Sequence, residues 1–336
     1  MKRIGFTLSA EDTTVDDLVA QARMAEEVGF DAIGISDHFH PWVDEQGESP
    51  FVWSVIGAVS QVCDLPVVTA VTCPTVRTHP AIIAQAAATS AVLLGEGRFT
   101  LGVGSGEALN EHILGTTWPE ADVRLEMLEE AVEVIRMLWT GEVVSHRGRH
   151  YTVDSARIYT LPESPPPIYM SAFGPKALDL AGRVADGFIT TKPDAQSAQS
   201  FREAKGGSAP THSQYKVSWA SDRETAIERA HRIWPTSGIP GELSQVLPSP
   251  QHFEQAAGLV TKEKVAENGA FGNSVEEHID TFAPFAEAGF DDIYIANIGP
   301  DWRQMMEAYG KEILPELRSR FGTGATRGAA AVERAS

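Results

Sequence analysis

Residues 99–111 read FTLGVGSGEALNE. Phe99 to Val103 is a short apolar run, and the glycines at 102, 104 and 106 break it before a helical pattern resumes. The break lacks the G-x-G-x-x-G spacing with which a strand-to-helix turn wraps a dinucleotide pyrophosphate. That spacing matters because a doubly wound sheet and a closed barrel share the same β/α alternation. Without a dinucleotide loop, the number of units has to decide between them.

Working outward, the unit recurs. Ile4 to Leu8, Ala32 to Ser36, Pro66 to Val71 and Phe99 to Val103 read as four strands. Their helices are expected at Val15 to Val28, Val52 to Val62, Pro80 to Leu94 and Glu126 to Leu138. Ile168 to Ala172, Gly187 to Thr190, Lys216 to Ala220 and Ile293 to Asn297 bring the count to eight. Helices are expected after them at Lys176 to Val184, Ala195 to Lys205, Glu224 to Ile233 and Trp302 to Leu317. Eight units imply a (β/α)₈ TIM barrel of the α/β class over residues 1–320. Val143 to Val153 reads as a hairpin outside it. Residues 235–272, with Pro240, Pro248 and Pro250, do not repeat the unit and read as an insertion between strands seven and eight. The small, polar residues 321–336 read as a disordered tail.

The 27 basic against 46 acidic residues give a net charge of −19, which repels nucleic-acid backbones and anionic membrane surfaces. Any anionic ligand has to be met by local donors. Two cysteines, Cys63 and Cys73, make neither a disulfide framework nor a zinc site. With no signal-like N-terminus and no apolar run of membrane length, a cytoplasmic protein without membrane or nucleic-acid partners is expected.

Barrel strands end at the active face, so the residues after them are the candidates. SDHFHPW at 36–42 sets a carboxylate, two imidazoles and an indole within seven residues after strand two. The plain alternative is a capped loop with surface histidines. Gly102-Val103-Gly104-Ser105-Gly106-Glu107 lets backbone approach a flat or phosphorylated ligand, or merely makes a tight strand exit. Cys73-Pro74-Thr75 and Phe173-Gly174-Pro175-Lys176 are turns that gain meaning only in company. Thr191 and Lys192 are polar enough to touch a ligand. Hydrolase elbow, zinc-protease and P-loop motifs do not occur.

Taken together, SDHFHPW at 36–42, CPT at 73–75, GVGSGEALNE at 102–111 and ADGFITT at 185–191 resemble the signature segments of the F420-dependent glucose-6-phosphate dehydrogenase family, within the luciferase-like oxidoreductases. The likeness runs from about residue 2 to about residue 320. It implies a homodimeric luciferase-like barrel that binds the deazaflavin coenzyme F420 and a small-molecule substrate. On this resemblance, Asp37, Cys73, Ser105, Gly106, Asn110, Phe173, Gly174 and Lys176 fall at coenzyme positions. A cis peptide is implied between Ala70 and Val71. His38 matches a catalytic base that takes the alcohol proton, and Glu107 a second acid/base residue near the ring. Trp42 lines the substrate face, and Glu11 is an orienting carboxylate in the same cavity. Thr191 and Lys192 fall at the substrate.

The departures concern the substrate. Where glucose 6-phosphate enzymes carry basic residues around the phosphate, the matched positions read Asp194 and Asn268, with no basic residue in Leu243-Ser244-Gln245. Lys192, Lys262 or Lys264 are the candidates to substitute. Other hydroxylated compounds, or reduction of an unsaturated compound by the reduced coenzyme, are therefore open. The rival functions are an FMN-dependent monooxygenase of the same barrel class and a non-catalytic coenzyme carrier.

Overall fold

The computed structural model describes residues 1–239 and 241–322. Eleven strands form among them: β1 (Arg3–Leu8), β2 (Ala32–Ile35), β3 (Val67–Thr69), β4 (Phe99–Val103), β5 (Val144–Arg147), β6 (Thr152–Ala156), β7 (Ile168–Ser171), β8 (Gly187–Thr190), β9 (Thr211–Ser218), β10 (Gly269–Phe271) and β11 (Asp292–Asn297). β1, β2, β3, β4, β7, β8, β9 and β11 pair in parallel in that order, and β11 returns to β1. The sheet is thus a closed barrel of eight, with helices between its strands, as the unit count implies.

Strand alternation sorts the side chains into two layers. Ile4, Phe6 and Leu8 of β1, Ile33 and Ile35 of β2, and Ile293 and Ile295 of β11 join the cluster that packs under the helices. The alternate residues fill the barrel: Ala32, Val68, Tyr169, Ile189 and Tyr294 form a separate inner cluster. Two tyrosines fit because glycines face them. A Cβ on Gly5 would lie 2.3 Å from the Tyr294 ring, and one on Gly187 would lie 2.5 Å from that of Tyr169. His212 stacks on Tyr294 with ring centroids 4.0 Å apart, and burial pulls its pKa down to about 3, so it stays neutral.

Several boundaries differ from the sequence reading. The seventh barrel strand, β9, begins at Thr211 rather than Lys216; its first residues, THSQ, are polar although Thr211, His212 and Ser213 are buried in the barrel wall, so no apolar run marks them. Residues 235–272 carry short helices at Leu243–Val246, Pro250–Ala257 and Lys262–Ala266, then β10. That strand pairs with Lys216 to Ser218 of β9, on the edge that β8 leaves after Ser213. A helix that periodicity did not single out, Val275–Glu287, leads from β10 into β11. The last helix is not continuous: Trp302–Ala308 passes through a π turn at Tyr309–Ile313 into Leu314–Phe321. Pro315 accounts for this, since it has no N–H to continue the α ladder. The hairpin is β5 and β6, which run to Ala156. The tail expected from residue 321 lies, from 323 onward, outside the described residues.

The inner layer gives a stability test. Gly5→Ala forces the Tyr294 ring to move and is expected to cost about 3 kcal/mol in urea unfolding. Gly57→Ala, in the helix Val52–Val59 where an added Cβ meets nothing within 4 Å, is expected to be neutral or slightly stabilising. Equal effects would contradict this account of barrel filling.

Candidate active site

The loop after β2 and the loop after β4 meet above the barrel. Asn110, buried on the short helix Ala108–Glu111, accepts the backbone N–H groups of Phe39 (2.9 Å) and His40 (3.2 Å) at its Oδ1. Its Nδ2 lies 3.1 Å from His38 Nδ1 and 3.5 Å from Glu107 Oε2. His38 and Glu107, distant in sequence, are thereby linked through one carboxamide. His38 Nδ1 is also 3.2 Å from the His40 carbonyl, and its Nε2 is 3.5 Å from Glu11 Oε1.

Glu11 comes from the loop after β1, where Ser36 Oγ donates to its Oε2 at 2.7 Å and Ser9 Oγ at 3.3 Å. Trp42 leans on His38 with ring centroids 5.0 Å apart, and its other side meets Phe253 edge-on. Phe253, Ile239 and Leu247 of the insertion pack with Trp42, Val43 and Leu109. The insertion therefore holds the aromatic wall beside His38.

A second polar group lies beneath the glycine step. Asp37 accepts from Thr72 Oγ1 (2.8 Å) and Arg77 Nη2 (2.9 Å), and Arg77 Nε is 3.6 Å from the buried Glu111. Glu111 also accepts the backbone N–H groups of Val76 and Arg77. Burial outweighs these donors and pushes Glu111 up to about 7. Burial likewise raises the Cys73 thiol, which favours its protonated form.

Around Gly106, at φ +90°, an added Cβ would meet Trp118, Glu111 and Thr75 within 3.5 Å. Thr75 Oγ1 and Trp118 Nε1 are buried there without a hydrogen-bond partner. At Gly104 a Cβ would lie 2.7 Å from Val71 Cγ2, so backbone and Val71 meet flush. The Ala70–Val71 peptide is cis, as the resemblance implies.

Other expected residues are placed more loosely. Phe173 is exposed, and Gly174 opens the helix Pro175–Val184 with no side-chain cap, leaving its first amides free for an anion. Lys176 reaches across to Asp122 at 2.7 Å in an exposed pair. Thr191 and Lys192 stay exposed after β8. Asp194 caps the helix Ala195–Ala204, Asn268 donates to the Lys264 carbonyl, and Gln245 accepts from Arg124. Lys262 and Lys264 are exposed and paired with Glu228 and Glu267.

The sequence reading passed over Arg77, Glu111, Lys216 and Arg124. Lys216 sits on β9 with its Nζ 4.0 Å from the Trp234 ring centroid, in the field of Glu11 and Asp12, and burial lowers its pKa. Asp12, which accepts from Trp234 Nε1 at 2.9 Å, is pushed up to about 6 by burial. Arg124 lies over Trp118, 4.6 Å from its centroid. The available signal was a charge within a strand or directly after one: Lys216 in YKVSW, and Arg77 four residues past Cys73.

A barrel whose C-terminal face is built this way is that of the luciferase-like oxidoreductases. The sequence profile of the luciferase-like monooxygenase family matches residues 1–292, and the chain belongs to that family. Within it, the chain is 37% identical to an F420-dependent glucose-6-phosphate dehydrogenase of Nakamurella multipartita, over 96% of this chain and 98% of that one. It is 36% identical to the corresponding dehydrogenase of Microbacterium testaceum, over 95% and 98%. Among solved structures it resembles an F420-dependent secondary alcohol dehydrogenase in complex with an F420-acetone adduct, with TM-score 0.87, 32% identity, and coverage of 95% and 100%.

The Glu111 shift sets a pH window. Native Glu111 holds a proton up to about 7, whereas the unfolded group releases it near 4.5, so rising pH favours unfolding across that interval. Glu111→Gln removes this titration. Its unfolding free energy relative to wild type is expected to rise from pH 4.5 to 7 and then level off. A difference constant with pH in urea titrations would count against the buried, protonated carboxyl.

Proposed function

We propose that this protein is a coenzyme F420-dependent dehydrogenase that oxidises a CH–OH carbon of a small molecule, working in the cytoplasm as a homodimer. The observation that carries the reading is the cradle at Gly104 and Gly106. Bare backbone there lies flush with Val71, and Thr75 Oγ1 and Trp118 Nε1 are buried without partners beside it. A planar ring with polar edges fits such a surface. Dependence on F420 in the relatives and in the alcohol dehydrogenase supports the same assignment.

Ser105, Gly106, Thr75 and Trp118 would hold the ring, and the open amides after Gly174 would meet an anionic tail. With a net charge of −19, such local donors have to replace a general positive field. The coenzyme supplies hydride acceptance or donation at C5. The residues of this chain handle the protons. His38 and Glu11 form the pair that takes the hydroxyl proton, with Trp42 shaping the face on which the alcohol lies. Glu107 serves the proton balance on the coenzyme side. Asp37 holds Arg77 and Thr72, fixing the loops that the ring rests on.

The substrate reading is an alcohol held without a phosphate clamp. Asp194, Asn268 and Gln245 are engaged in capping and latching, and Lys262 and Lys264 are paired at the surface. Each lost charge-assisted contact would weaken phosphate binding by about 2 kcal/mol. With F420 present, secondary alcohols and uncharged polyols are therefore expected to be oxidised at least as well as glucose 6-phosphate. His38→Ala should bind the coenzyme yet lose about 10²-fold or more in kcat. Near-normal turnover by His38→Ala, or a strict need for the phosphate, would overturn the respective assignment.

A further inference from the structure

The hairpin of β5 and β6 carries none of the groups assigned so far, yet one residue beside it reaches the coenzyme side of the site. Glu130, on the helix Ala121–Leu138, accepts the backbone N–H groups of Tyr151 (2.8 Å), His150 (3.0 Å) and Arg149 (3.1 Å), and His146 Nε2 lies 3.1 Å from it. Gly148 makes room for that carboxylate, since a Cβ there would fall 1.9 Å from Glu130 Oε1. The chain entering β6 is thereby pinned to the helix. Tyr151, itself buried, sets its hydroxyl 2.8 Å from the Thr75 carbonyl and 3.2 Å from that of Pro74. Burial holds this phenol well above its ordinary pKa, so it stays a donor. Residues 74–77 form a turn that is therefore held from two sides: Tyr151 takes its carbonyls, and Glu111 takes the N–H groups of Val76 and Arg77. Between these holds, Thr75 Oγ1 is buried without a partner, where a Cβ on Gly106 would meet it at 3.5 Å. A hydroxyl left unmade in this way is completed by a ligand at the glycine step.

We propose that Tyr151 is a positioning residue for the coenzyme: its hydroxyl fixes the turn at residues 74–77 so that Thr75 faces the ring at Gly106. The proposal rests on the reading above in that the ring lies against Thr75. Tyr151 acts through two backbone carbonyls and makes no hydrogen bond to His38, Glu11 or Glu107, so its effect falls on coenzyme affinity and not on the chemical step. The outer hairpin, anchored by Glu130, is thus a support of the coenzyme wall.

The test is a double-mutant cycle on F420 affinity with Tyr151→Phe and Thr75→Val. Phe keeps the ring that stands edge-on to His79, and Val replaces a side chain whose hydroxyl has no partner within the protein, so neither change is expected to disturb the fold. Tyr151→Phe should raise the F420 Kd about 10-fold, with kcat at saturating coenzyme and the alcohol KM within about 2-fold of wild type. In the Thr75→Val background the same change should raise Kd less than about 2-fold. Additive effects, an unchanged Kd in Tyr151→Phe, or a fall in kcat with Kd kept each overturn the proposal. A second readout needs no coenzyme: amide hydrogen exchange at Val76 and Arg77 should be about 5-fold or more faster in Tyr151→Phe, while Leu128 and Ile135 on the helix exchange as in wild type. Unchanged exchange at Val76 and Arg77, or loosening of the helix as well, overturns the proposal whatever F420 does. Faster exchange confined to the turn, in a protein whose wild type binds no F420, would support the hold of Tyr151 on the turn and remove the function proposed above.

Discussion

One carboxamide ties the site together. Asn110 takes the two N–H groups that open after His38, and this clamps the loop following β2 to the helix following β4. The barrel alone would only bring strand ends near one another, with their loops free to differ. The clamp fixes His38 relative to Glu107 and places its far edge against Glu11. Trp42 follows His38, and Phe253 follows Trp42, so the insertion inherits its position from the same contact.

Charge is distributed to suit this arrangement. A chain of net charge −19 keeps several of its cations inside or near the face: Arg77 between Asp37 and Glu111, Lys216 beside Glu11 and Asp12, and Arg124 over Trp118. Burial penalises a charged carboxylate, and it outweighs the donors that Glu111 and Asp12 receive, so both are raised. Surface pairs such as Lys176 with Asp122 contribute little by comparison. The stability sacrificed beneath the glycine step is consistent with a region shaped for a ligand.

Most of the barrel was legible because parallel strands covered on both faces read as apolar runs: Ile4 to Leu8 and Phe99 to Val103 stand out for that reason. β9 was read five residues late because its first residues, Thr211 to Gln214, are polar groups facing the barrel interior and its wall. β10 is only three residues long and pairs with part of one neighbour, too little to leave a pattern. At the site, SDHFHPW and GVGSGEALNE are dense enough in chemistry to be noticed alone. Arg77 and Lys216 are single charges whose meaning comes from distant partners, Asp37 and Glu11, and no local window holds both members. The engagement of Asn110 with His38 was equally hidden, because it spans 72 positions.

The central claim is that the cradle at Gly104 and Gly106 is shaped for a deazaflavin. Titrating the purified protein with coenzyme F420 and with FMN, while following tryptophan fluorescence, tests it directly, since Trp118 and Trp42 line the two sides of the site. Saturable, tight F420 binding with weak or no FMN binding is the expected result. Preference for FMN would contradict it and move the protein to the oxygen-activating branch of its family.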